Sequence, residues 1–131
     1  MPSLHCGPGT AFYFTDGEVA RRSLWAVIAG LGEASGSVLM VPFDIIADRV
    51  GDVCVADSND HPHFWAVHFA NFSRAREVAA PELQRAFDLG ALVPLEPLSV
   101  EFLVRIIDAA GQSRMLKNRF RDALDQQGLI D

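Results

Sequence analysis

Cys6, His63, His68 and Asn71 are the residue types from which a thiol nucleophile, its base and an orienting amide are built. That chemistry needs an imidazole within hydrogen-bond reach of sulfur, and a helix N-terminus or cation to hold the thiolate. Cys6 stands between His5 and a Gly7-Pro8-Gly9 turn, in the run "HCGPGTAFYFTDG". A small buried cysteine beside a turn is the alternative, and that reading is preferred. A second set, His61, His63, Asp57, Asp60 and Cys54, has the ligand types of a zinc site. Its spacing is neither paired CxxC nor HExxH, and "DSNDHP" suffices as turn and cap chemistry, so no metal is assigned. A third set suits contact more than turnover. Trp25 beside Arg21 and Arg22 has the composition of an interface hot spot, or of a tryptophan packed under a guanidinium.

The elements expected to carry these residues follow from periodicity and punctuation. Ala11–Phe14 reads as a short buried strand. Thr15-Asp16-Gly17-Glu18 fits a capping box for a helix to about Leu31, with Ala20, Leu24, Val27, Ile28 and Leu31 as its apolar stripe. On that helix Trp25 shares the side of Glu18, Arg21 and Arg22. Val38–Val41 reads as a buried strand ended by Pro42, and Val53–Ala56 as another. The stretch 63–76 is expected to be a helix with Phe64, His68 and Phe72 on one face, capped by Asp60. Pro81 opens a helix that Gly90 closes. "LVPLEPL" is extended, Ser99 caps a helix ending at Gly111, and Ser113 caps the last, ending at Gly128. The sum is one α+β domain over residues 1–131, with a mixed strand and helix part (1–62) and a mainly helical part (63–131).

Composition narrows the function classes. A chain of 131 residues, half apolar and about a fifth charged, can bury a real core. No apolar run reaches membrane-spanning length, the N-terminus lacks a signal-peptide pattern, and two cysteines require no disulfide framework. A cytoplasmic protein without membrane attachment is expected. The formal charge is −6, and the segment 44–60 holds five aspartates against one arginine. Long-range repulsion of a polyanion makes nucleic acid an improbable partner, although "IIDAAGQSRMLKNRFRDAL" with Arg114 and Lys117 has a faint helix-turn-helix pattern. The same acidity suits a basic protein partner.

Two resemblances attach to particular residues. "CGPGTA" and "HFWAV" resemble the nucleophile helix and histidine strand of papain-like and bacteriocin-processing cysteine peptidases, which implies a Cys–His hydrolase. Over residues 9–76 the order of features resembles small bacterial ADP-ribosyltransferases, through "GTAFYFTDGEVA", "SVLMVPFD" and "FWAVHFANFSR". That resemblance implies nucleotide contacts from Tyr13, which would stack on nicotinamide, and from Thr15 in the same motif. His5 is the only residue offered for the ribose grip, and it stands eight residues before Tyr13, too close for the family's first strand. A chain lacking that grip would bind a ligand and not turn it over. The leading expectation is therefore a non-catalytic protein-binding module of inhibitor or immunity type, without a cofactor. It would engage another protein, or form a homodimer, through Trp25, Arg21, Arg22, Asp57 and Asp60. A degenerate or minimal ADP-ribosyltransferase-like NAD-binding enzyme is the alternative, and the Cys–His hydrolase the second alternative.

Overall fold

Seven strands and three helices are formed by the residues that a computed structural model describes, namely 4, 6–15, 23–31, 36–45 and 54–130. The strands are β1 (Ala11–Phe14), β2 (Trp25–Gly30), β3 (Ser37–Ile45), β4 (Val55–Ala56), β5 (His68–Ala70), β6 (Arg76–Ala79) and β7 (Leu92–Leu95). The helices are α1 (Ala80–Asp88), α2 (Val100–Gln112) and α3 (Asn118–Gln126). All pairings are antiparallel, in the order β4-β5-β3-β2-β1-β7, with β6 also on β3. The architecture is α+β, as the sequence implied.

Alternation along the strands divides the core in two. Phe12, Trp25, Val27, Val38 and Met40 point to one face and pack with Leu83 of α1. Ala11, Ala26, Ile28, Leu39, Val41 and Phe43 point to the other, against Phe102, Ile106 and Ala110 of α2 and Phe120 and Leu124 of α3. A β-bulge between Val27 and Ala29 turns Ile28 and Ala29 to the same side.

This double coverage explains the largest correction. The helix expected up to Leu31 is a strand from Trp25 onward, and its capping residues 16–18 lie outside the described residues. In a run apolar at every position, helical spacing is satisfied trivially, and only burial on both faces identifies the strand. Trp25 accordingly is not on a helix, and Arg21 and Arg22 lie outside the described residues.

The strand expected to stop at Pro42 continues to Ile45. Phe43 donates to Leu24 O, just before β2, so Pro42, one residue away, directs its missing donor to the opposite edge. There the partner strand breaks. Met40 pairs with Arg76 and Phe43 with Ala70, three steps against six, and the three surplus residues are taken up by a 3-10 turn, Phe72–Arg74. Thus β5 and β6 are two halves of one interrupted strand, and the ladder is interrupted where proline has nothing to donate. The helix expected over 63–76 is absent for the same reason: β3 offers this stretch a sheet edge, and pairing outcompetes a marginal amphipathic pattern.

The other helices start and stop where punctuation placed them, with one exception. Pro81 sits in the first turn of α1, and Gly90 (φ 76°) ends it: Gly90 and Ala91 amides donate to Phe87 and Ala86 carbonyls, a Schellman closure. Ser99 Oγ accepts from the Phe102 amide at 3.1 Å and caps α2. Ser113 does not cap α3. Its hydroxyl accepts from the Met115 amide two residues on, making a turn, and α3 begins at Asn118.

Candidate functional site

Among the described residues, Cys6, His68 and Asn71 are not brought together. Cys6 packs with the residues under α1, whereas His68 shares its strand face with Ala70, which looks to α2 and α3. The Cys6 thiol lies 3.8 Å from the Leu4 carbonyl, and burial pushes it up, away from thiolate. His68 Nδ1–H donates to Ala66 O at 2.7 Å. Asn71, the proposed orienter, donates to Asp44 Oδ2 at 2.7 Å. Tyr13 carries the His63 ring nearly parallel to its own, centroids 5.8 Å apart, so one face of the phenol is occupied. Thr15 Oγ1 donates to Gly90 O at 3.2 Å, which ties β1 to the end of α1. His5 lies outside the described residues.

The metal-type residues are likewise engaged in structure. His61 is buried; its Nδ1 accepts the His63 amide at 3.1 Å, so Nε2 carries the proton donated to Glu96 O at 2.7 Å. Asp57 Oδ1 accepts the Asn59 amide and Asp60 Oδ2 the Asp57 amide, a self-closed turn. Cys54 lies by Arg105, and burial pushes its thiol up.

Arg105, a lone cation in the apolar run "FLVRII", is the residue that sequence reasoning passed over. It leaves α2, rests over the Phe102 ring, and forks. Nη1 donates to Asp60 Oδ1 at 2.9 Å and Nη2 to Val55 O at 2.8 Å. That carbonyl points off the open edge of β4, because Cys54 and Ala70 form the neighbouring hydrogen-bonded pair. One guanidinium therefore caps the edge strand and clamps the turn 57–60. Its hydrogen bond holds the Asp60 carboxyl below the usual range.

The clamped turn presents an apolar corner. Phe64 is inserted into the core against Phe43 and Phe102, and the next residue, Trp65, is 71% exposed. Val67, just before β5, and Val55, on β4, are exposed too, with Val55 directly across from the half-buried Phe69. Periodicity hid this corner, because a helix over 63–76 places Trp65 beside the buried face. Trp25 has the reverse fate: it is 7% exposed, under the Arg74 guanidinium at 5.8 Å, with Phe14 edge-on at 6.1 Å. Arg74 also donates to Asp44 at 2.7 Å. Of the residues predicted to bind a partner, Asp57 and Asp60 border the exposed corner and Trp25 does not.

No protein family, curated protein or solved structure matches the chain.

Proposed function

We propose that this chain is a non-catalytic protein-binding module that docks through the corner formed by Trp65, Val67 and Val55 beside the 57–60 turn. The observation carrying this reading is the exposed Trp65 on a backbone held by its buried neighbours Phe64 and His61. Contiguous exposed apolar side chains mark contact surfaces, and tryptophan is among the residues most enriched at energetic centres of interfaces. A loop already ordered before binding forfeits little entropy on docking. The engagement of Cys6, His61, His68 and Asn71 in structural bonds supports contact as the task. Inhibition of a partner enzyme, as immunity-type proteins perform it, is the form of contact that fits a small acidic chain.

The test is comparative affinity capture with immobilised wild type and Trp65→Ala, followed by calorimetry with any purified partner that wild type retains. Loss of about 2 kcal/mol or more of binding, some thirtyfold, is expected for the variant. Partners retained with unchanged affinity would sink this reading. Heat on titrating NAD into the protein, abolished by Tyr13→Ala, would favour the ADP-ribosyltransferase-like alternative instead.

A further inference from the structure

A cavity of about 260 Å³ opens between the broken strand and the turn after α2, lined by Phe69, Asn71 and Phe72 on one side and Ser113 and Met115 on the other. Met115 is 61% exposed at its mouth, an unbranched, adaptable side chain with no core to fill. The two chain segments forming the walls have an unusual charge. Residues 61–76 and 109–121 carry two and four arginines or lysines respectively, and no aspartate or glutamate, in a protein whose net charge is −6. Of the six cations in these two segments, the described ion pairs engage Arg74, through Asp44, and Arg119, through Glu77. Arg114, between the two lining residues Ser113 and Met115, and Lys117 just beyond are exposed and join no ion pair among the described residues.

An apolar hollow whose lining residues Ser113 and Met115 flank one unneutralised cation in the chain, with a second two residues on, is complementary to an acidic peptide with one apolar anchor. We infer that this groove is a docking site for such a segment of a partner protein, with the anchor between Met115 and Phe72 and its carboxylates on Arg114 and Lys117. Charge complementarity chooses this occupant. A nucleic acid would meet the repulsion of the whole acidic molecule and would leave the apolar hollow unfilled. The site reaches Phe69 but needs nothing from Trp65, so it stands independently of the corner described above.

The probe is a short synthetic peptide of glutamate, aspartate and serine with one central leucine, followed by amide chemical-shift mapping and calorimetry at low salt. Shifts are expected at Asn71, Phe72, Ser73, Ser113 and Met115. Replacing leucine by glycine, or reversing Arg114 and Lys117 to glutamate, should weaken binding by about tenfold or more. Trp65→Ala should leave the peptide's affinity unchanged. Equal binding of the leucine-free peptide would overturn the proposal in favour of bare charge attraction. Tighter binding of a thymidine oligonucleotide would replace it with nucleic-acid binding. The same shifts appearing on concentrating the protein alone would replace it with a second copy of the chain, and no shifts at these residues would end it.

Discussion

Phe64 and Trp65 are adjacent and chemically alike, yet their energetic roles are opposite. Phe64 contacts Phe43 and Phe102 at centroid distances of 5.2 and 6.2 Å, so truncation leaves a cavity in the main core. Phe64→Ala is expected to cost about 3–5 kcal/mol of unfolding free energy in urea titration. Trp65→Ala should stay within about 0.5 kcal/mol of wild type, because little is removed from the core. If both variants unfold at the same denaturant concentration, the assignment of the two rings is wrong. Reactivity is decided at this scale too. Burial raises the Cys6 and Cys54 thiols, so native protein should be alkylated slowly at neutral pH and denatured protein at the rate of free cysteine.

Arg105 shows how one side chain can govern an element. β4 has only two residues, and a free edge that short depends on what fastens it. The fork on Val55 O and Asp60 is half exposed, so its worth is discounted for solvent: Arg105→Ala should cost about 1–2 kcal/mol. Hydrogen exchange should accelerate selectively over 54–67. Lysine should restore little of this, since a point charge cannot serve a carbonyl and a carboxylate in one plane. Uniform acceleration across the sheet, or no change over 54–67, would show that the clamp is not Arg105. The far edge is managed differently. Odd-numbered residues of β7 exchange hydrogen bonds with β1, so Pro94 points its donorless nitrogen outward and deters further pairing.

Across the whole molecule the acid response follows from carboxylates with cation partners. Arg105 lowers Asp60, and Arg119, donating at 2.8 Å, lowers Glu77. Each has a folded value below its unfolded one, so its contribution is complete above the ordinary carboxylate range and disappears as pH falls through the lowered folded value. Urea midpoints should therefore drop between neutral pH and about pH 3, and the drop should shrink in Arg105→Ala. An undiminished drop would assign acid sensitivity to other groups. The three layers also set where function can reside. With α1 on one face and α2 and α3 on the other, the sheet leaves its edges and corners for contact, which is where Trp65 and the groove beside Met115 lie.

Local chemistry wrote much of this into the chain. Pro81 and Gly90, Ser99, and Gly128 specify helix ends because caps and positive-φ closures need no distant partner. Ala11–Phe14 reads as a strand from its aromatic content alone. The tertiary structure alone decided the identity of 24–30 and of 63–76, and with them the fates of Trp25 and Trp65. The reason is physical. A run apolar on every side has no phase, so its conformation is set by what covers it. A proline in a central strand is acceptable only if the neighbouring strand breaks opposite it, and no window of sequence around Pro42 contains residues 71–75.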